Sequence, residues 1–164
     1  MVEKPLEEQI GELLLARGWF LALAESCTGG LVSHRITNVP GSSDYYLGGI
    51  TAYANEAKIG LLGVRLETLE RYGAVSRETV LEMARGARQA LKADIGMSIS
   101  GIAGPGGETP GKPVGLTWIG LSAPGWENAW SYVWSGDRLR VKEQSAGQVL
   151  RLLRDYLNGS LAHG

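Results

Sequence analysis

A serine stands where a buried strand is predicted to turn into a helix. Ser26 follows the apolar run 19–23, and Gly29-Gly30 open a segment with helical periodicity. A hydroxyl at such a turn lies at a sheet edge, beside free backbone N–H groups and the positive end of a helix dipole. These surroundings suit a nucleophile or an anion site, and they suit an ordinary serine N-cap equally well.

A lysine further along the chain could act as general base for this serine. Lys58 lies in the first turn of a short predicted helix, past a predicted strand that ends at Tyr53. Burial or a nearby cation would lower the pKa of its amine and allow a serine–lysine pair. The alternative is a solvated surface lysine. Tyr53 could orient the amine, relay a proton, or simply pack.

Other nucleophiles and metal sites are less favoured. Cys27, the single cysteine, is adjacent to Ser26, but a thiol one place along a turn points elsewhere and small buried cysteines are common. A serine–histidine–aspartate triad would need His34, which lies at least a helix turn past Ser26. His34 and His163 are far apart in sequence and no Cys/His cluster exists, so we expect no metal.

A second predicted strand runs into a glycine-rich loop at 100–107. In open α/β sheets, ligands gather beyond the carboxyl ends of the strands. If the two strands are parallel neighbours, both loops face one crevice and Ser26 lies close to Ser100. Three cations within 138–142 could hold a phosphate, or could form a solvated basic turn. Neither glycine loop has a Walker A or dinucleotide fingerprint, so we expect no nucleotide cofactor.

The elements that must position these residues follow from periodicity and turn signals. Asn55 and Ser76 are predicted helix caps, and 123–125 a hairpin connection. Helices alternating with strands predict a three-layer α/β/α sandwich on a mixed sheet, in one domain over 1–164. The predicted helices are 5–17, 29–37, 56–62, 66–72, 76–92 and 137–157, and the predicted strands are 19–25, 45–53, 95–99, 114–122 and 129–134.

Composition excludes several classes of protein. A net charge of −1 gives no electrostatic reason to bind nucleic acid. No segment approaches the run of roughly 20 apolar residues that spans a membrane. The acidic start of the chain does not resemble a signal peptide, and a single cysteine fits a reducing compartment. We therefore expect a cytoplasmic enzyme or binding protein.

Five motifs, taken together and in order, resemble the CinA carboxy-terminal-domain family. The resemblance covers nearly the whole chain, from the first predicted helix to the last. The motifs are AESCTGG at 24–30, YANEAK at 53–58, GAVS at 73–76, SISGIAGP at 98–105 and KPVG at 112–115.

This resemblance implies a mixed five-stranded sheet and an activity. The activity is hydrolysis of the carboxamide of nicotinamide mononucleotide to nicotinate mononucleotide and ammonia. The family's nucleophile falls on Ser26, its lysine base on Lys58 and its motif tyrosine on Tyr53. Similar proteins assemble as dimers or larger oligomers, so we expect a homo-oligomer. Larger members carry an additional amino-terminal domain, and this chain resembles the stand-alone type.

The resemblance also implies a substrate-binding set. Backbone N–H groups of the Ser26 turn would stabilise an oxyanion, and the second loop and the basic segment would hold ribose and phosphate. Lys142 falls where the family has an arginine, so it keeps the charge but loses the bidentate fork. A non-catalytic nucleotide-binding or regulatory module and a phosphate-handling enzyme stay open as alternatives. The expected substrate-binding residues are Cys27, Thr28, Gly29, Gly30, Asn55, Ser100, Gly101, Ile102, Ala103, Gly104, Arg138 and Lys142.

Overall fold

The computed structural model describes residues 2–161, so His163 lies outside the described residues. Within that range no helix is both long and apolar enough to cross a membrane. The helices are α1 (Leu6–Arg17), α2 (Leu31–Thr37), α3 (Asn55–Leu62), α4 (Leu66–Tyr72), α5 (Arg77–Leu91) and α6 (Arg138–Leu157). The strands are β1 (Leu21–Glu25), β2 (Tyr46–Thr51), β3 (Ile95–Gly101), β4 (Leu116–Ala123) and β5 (Trp126–Val133).

The five strands form one mixed sheet in the order β2-β1-β3-β4-β5. β1 pairs in parallel with both β2 and β3, whereas β4 pairs antiparallel with β3 and β5. The predicted mixed sheet is therefore confirmed. Since β1 and β3 are parallel neighbours, the two strand-to-loop junctions lie at the same edge of the sheet.

Helices cover both faces of the sheet. Side chains alternate along β1, so that Leu21 and Leu23 join the core beneath α1, α2 and α6, whereas Ala22 and Ala24 join the core beneath α5. α3 and α4 pack on α5. The predicted three-layer α/β/α sandwich is confirmed.

One of the two named helix caps is wrong. α3 begins at Asn55, and its N-cap is Ala54, whose extended backbone (φ −81°, ψ 156°) turns the chain one residue earlier than predicted. The Ala54 carbonyl accepts the backbone N–H of Lys58 at 3.1 Å, so the side chain of Asn55 caps nothing. Ser76 does cap α5, because its hydroxyl accepts the Thr79 N–H at 3.2 Å.

Glycines let α5 approach its neighbours closely. A Cβ on Gly96 of β3 or Gly120 of β4 would lie 2.4 Å from a carbonyl oxygen of α5. Ser98 of β3 donates to the Val80 carbonyl of α5 at 2.5 Å. On the other side of α5, a Cβ on Gly86 would lie 1.9 Å from the Leu62 carbonyl oxygen at the end of α3. The position of α3, which contains Lys58, therefore depends on a glycine contact.

This contact predicts that Gly86→Ala destabilises the protein. Alanine in a helix interior is otherwise better than glycine by up to about 1 kcal/mol, but overpacking against rigid backbone costs about 1–3 kcal/mol. We expect a net loss of up to about 2 kcal/mol in the free energy of unfolding, measured by urea denaturation. Gly60→Ala in α3 is the matched control, because a Cβ there meets nothing within 4 Å. Equal stability of the two variants would contradict the close approach.

Candidate active site

Ser26 lies one residue beyond β1, at the carboxyl edge of the sheet. Its backbone N–H donates to the Ile99 carbonyl of β3 at 3.0 Å. In the parallel register Ala24 pairs with Ser98, so two residues further Ser26 lies beside Ser100. The two strand-to-loop junctions are therefore neighbours, as predicted, and both serines are buried. We call the space between the loops 26–30 and 100–107 the crevice.

Lys58 is a buried side chain near the start of α3. It is the fourth residue of α3, and only 1% of it is exposed. Its Nζ lies 2.9 Å from the Ser26 Oγ and 3.0 Å from the carbonyl oxygens of Ala52 and Tyr53. The solvated surface lysine that the sequence left open is excluded.

The two carbonyls set the direction of the amine lone pair. In the neutral amine, the two N–H groups donate to Ala52 and Tyr53, and the lone pair is left to accept the Ser26 hydroxyl. Burial lowers the pKa of Lys58 from its ordinary value, and charge interaction with Cys27 opposes this shift. An amine placed in this way is suited chemically to take a proton from the Ser26 hydroxyl.

Cys27 is unsuited to the role of rival nucleophile. Burial raises the pKa of its thiol to about 12, so the reactive thiolate is not formed near neutral pH. Its Sγ lies 3.2 Å from the place where a Cβ on Gly101 would stand. The thiol thus packs against the second loop, and it makes no contact with Lys58 like that of Ser26.

Tyr53 contributes its main chain to the pair. Its side chain is 62% exposed and lies past the end of β2, outside the strand in which the sequence placed it. Among residues 2–161 no hydrogen bond joins the Tyr53 hydroxyl to Lys58. That hydroxyl instead accepts from the Arg138 guanidinium at 3.2 Å, and Arg138 also donates to the Gly104 carbonyl at 2.7 Å. Arg138 therefore bridges the two sides of the crevice.

The start of α6 reaches both glycine loops. Besides the Arg138 bridge, the Nζ of Lys142 lies 3.9 Å from the place where a Cβ on Gly29 would stand. The basic segment and the Ser26 turn are thus brought together, as a phosphate-binding role requires. Asn55 lies exposed in the first turn of α3. Within the described part of the chain, no three His, Cys, Asp or Glu side chains are grouped as metal ligands.

Several groups of the expected binding set are engaged by the protein itself. The Thr28 hydroxyl donates to Glu25 at 2.6 Å, and the Gly29 N–H donates to the Ser26 carbonyl at 3.1 Å. The backbone N–H and carbonyl of Ile102 pair with Leu116 and Gly115, and Ala103 is buried. In the range that the structure describes, the backbone N–H groups of Thr28 and Gly30 donate to no protein group. Unpaired N–H groups of this kind can donate to a ligand atom.

Sequence reasoning missed Glu25. This carboxylate is 1% exposed and receives hydrogen bonds from Thr28, Val32 and Ser33, so it holds the turn that contains Ser26. The signal was present, because Glu25 is the single charged residue in the apolar run 19–27. A buried charge is rare unless it is paired or hydrogen-bonded, so it marks an internal contact.

Comparisons with known proteins identify the family to which the chain belongs. The model of the CinA C-terminal domain family matches residues 3–157. A CinA-like protein of Chloroherpeton thalassium is 50% identical over 162 residues, which cover 96% of this chain and 39% of that protein. The chain therefore spans less than half the length of this curated relative.

Solved structures extend the similarity to the fold. The competence damage-inducible protein A of Klebsiella pneumoniae is 34% identical, with a TM-score of 0.91, over 93% of this chain and 95% of that one. The competence/damage inducible protein of Agrobacterium tumefaciens is 36% identical, with a TM-score of 0.87, over 96% and 99% of the two chains. The chain belongs to the CinA C-terminal domain family.

Proposed function

We propose that the protein hydrolyses the carboxamide of nicotinamide mononucleotide to nicotinate mononucleotide and ammonia. The observation that carries this proposal is the buried pair of Ser26 and Lys58, with 2.9 Å between Oγ and Nζ. The family, together with the five motifs that resemble it, suggests the substrate. The pair suggests the type of reaction, which is nucleophilic acyl transfer to water.

The first half of the reaction forms an acyl-enzyme. The Ser26 Oγ attacks the amide carbon while its proton passes to the Nζ of Lys58. The negative oxygen of the tetrahedral intermediate receives the N–H groups of Thr28 and Gly30, an interaction typically worth about 3 kcal/mol per donor. Lys58 then gives the proton to the amide nitrogen, the C–N bond breaks, and ammonia leaves.

The second half releases the product. A water molecule attacks the ester carbon and gives a proton to Lys58, whose amine is neutral again after the departure of ammonia. The tetrahedral intermediate collapses, the proton returns to the Ser26 Oγ, and nicotinate mononucleotide is freed. No oxidant or further reactant is required, and water is the only co-substrate.

The charges of this substrate suit the crevice. The pyridinium ring carries a positive charge next to the reacting carbonyl, and a like charge near Lys58 favours its neutral, reactive form. The phosphate is negative and is matched by Arg138 and Lys142 at the start of α6. Lys142 acts as a point charge and lacks the bidentate fork of arginine, so Arg138 is the better orienting contact.

A nucleotide-binding module without turnover is the alternative of a different class. It has no need of a lysine amine withdrawn from water and pointed at a serine. Burying an ammonium group is costly unless it is paired, and the partners of Lys58 here are neutral oxygens. A neutral amine avoids the cost of burying a charge, and the neutral amine is the form that can accept the Ser26 proton.

Product analysis tests the proposal directly. We expect purified protein mixed with nicotinamide mononucleotide to release ammonia and nicotinate mononucleotide in equal amounts, measured by a coupled ammonia assay and chromatography. Nicotinamide riboside, which lacks the phosphate, is the matched substrate and should show a raised KM. Binding without ammonia release would favour the regulatory module, and release of inorganic phosphate would favour a phosphate-handling enzyme.

A further inference from the structure

Glu25 and Ser26 are adjacent in sequence but serve opposite faces of the sheet. Ser26 follows Ala22 and Ala24 on the face that α3 and α5 cover. Glu25 therefore lies on the other face, beneath α2, where its contacts with Val32 and Ser33 are made. The carboxylate does not contact Lys58, and its influence on the reaction has to pass through the turn between β1 and α2.

The Glu25 carboxylate is fully hydrogen-bonded. Its Oε1 accepts the Thr28 hydroxyl at 2.6 Å and the Val32 N–H at 2.9 Å. Its Oε2 accepts the N–H and the hydroxyl of Ser33 at 3.0 and 2.8 Å. The Tyr46 hydroxyl of β2 donates in turn to the Ser33 Oγ at 2.7 Å. Four donors thus satisfy one buried carboxylate, so its position is determined on all sides.

These contacts tie both ends of the Ser26 turn to one side chain. The N-cap of α2 is Gly30, which has no side chain to offer, and Glu25 satisfies the free N–H groups of Val32 and Ser33 in its place. The Thr28 hydroxyl is fixed from the middle of the turn. The unpaired N–H groups of Thr28 and Gly30 are therefore held at a set distance from Ser26.

We propose that Glu25 is a positioning residue for the acyl transfer, which fixes the oxyanion-binding N–H groups of Thr28 and Gly30 relative to the Ser26–Lys58 pair. The inference rests on the proposed function and extends it. The effect is geometric, because the Glu25 carboxylate contacts neither the Ser26 hydroxyl nor the Lys58 amine. Misplacement of a reacting group by about 1 Å can lower the rate about a hundredfold, so loss of the Glu25 contacts should lower kcat measurably.

Glu25→Gln tests the inference, since it keeps the size of the side chain but replaces an acceptor oxygen with an amide donor. We expect kcat to fall by about 10- to 100-fold, with KM and the midpoint of the pH–rate profile unchanged. Thr28→Val should lower kcat in the same direction, because it removes one of the four donors. Thr28→Ser retains the hydroxyl, so its kcat should be higher than that of Thr28→Val. If the threonine methyl group were what mattered, Thr28→Ser would be the slower variant.

Glu82→Gln is the matched control for a purely structural role. Glu82 likewise holds the start of α4 from another element, accepting the Arg65 N–H at 2.9 Å and the Thr68 hydroxyl at 2.6 Å, and it also pairs with the Arg65 guanidinium at 3.4 Å. It lies in α5, away from the crevice. We expect Glu82→Gln to lower the free energy of unfolding as Glu25→Gln does, and to leave kcat per folded molecule unchanged.

A second measurement separates this inference from the choice of substrate. Phenylmethylsulfonyl fluoride forms an S–O bond to the Ser26 Oγ, with loss of fluoride and transfer of the hydroxyl proton to Lys58, and mass spectrometry measures the rate of labelling. We expect slower labelling in Glu25→Gln than in the parent and in Glu82→Gln. If the parent protein releases no ammonia but the labelling rates still differ, the proposed substrate is wrong and the positioning role of Glu25 is supported. Parental kcat and labelling rate in Glu25→Gln, or equal loss of kcat in both glutamine variants, would overturn the role of Glu25.

Discussion

Ser26→Ala is expected to lower the kcat for ammonia release by a factor of about 10⁴ or more, since loss of a serine nucleophile has effects of that size. The change removes one oxygen atom, and the backbone bond from the Ser26 N–H to the Ile99 carbonyl stays. The fold and the phosphate contacts of α6 should therefore be retained. Nicotinamide mononucleotide should still bind, and titration calorimetry measures that binding beside the ammonia assay.

Cys27→Ala is the control for this experiment. The residue is adjacent in sequence and similarly buried, so it tests whether any change in the turn abolishes activity. With the pKa of the thiol near 12, no thiolate is available for attack, and Cys27→Ala should keep kcat close to that of the parent. Full turnover by Ser26→Ala would exclude Ser26 as the nucleophile, and loss of turnover in Cys27→Ala besides would assign the role to the thiol.

The fold could be predicted because its signals are local. The apolar run 19–23, the breaker at 38–41 and the turn at 123–125 each mark an element boundary within a few residues. The sequence could not show that β1 and β3 are neighbours, so the closeness of Ser26 and Ser100 was predicted only for the case in which they are. More than sixty residues separate the two strands, and their pairing depends on how α3, α4 and α5 pack between them.

The site could be predicted in its residue types but not in its surroundings. The sequence of a short helix does not distinguish a buried lysine from a solvated one. The burial of Lys58 depends on the packing of α3 on α5 through Gly86. The acceptors that orient its amine are backbone carbonyls of Ala52 and Tyr53, and a carbonyl has no residue type for a motif to record. The motif records the Tyr53 side chain, whereas the contact that Lys58 makes is with the Tyr53 main chain.

Lys58→Met is the second substitution with a large expected effect. Methionine has a similar length and fills the buried site, but it can neither accept the Ser26 proton nor donate to the Ala52 carbonyl. We expect kcat to fall by about 10²- to 10⁴-fold, the usual contribution of general acid–base catalysis. Lys92→Met is the matched control, because Lys92 is exposed and ends α5 away from the crevice. Its ammonia release should equal that of the parent.

The pH dependence of catalysis identifies the working form of Lys58. The neutral amine accepts the proton, so kcat/KM should rise with pH through the Lys58 pKa and level off above it. Burial lowers that pKa, so the midpoint of the rise should lie below 10.5, the ordinary lysine value. The residual activity of Lys58→Met should lack this rising limb, whereas Lys92→Met should keep it.

The same shift in pKa predicts a pH-dependent stability. In the unfolded chain Lys58 titrates near 10.5, whereas in the folded protein it titrates lower. Between the two values the unfolded state binds the additional proton, so the free energy of unfolding rises with pH across that window and is flat above it. Below the window both states are protonated, and the cost of burying the ammonium group is constant.

We expect urea unfolding of the parent to show this rise relative to Lys58→Met, because the methionine variant has no proton to exchange at this position. A difference between the two proteins that does not change with pH would mean that the amine stays charged in the folded state, and Lys58 could then not act as the base.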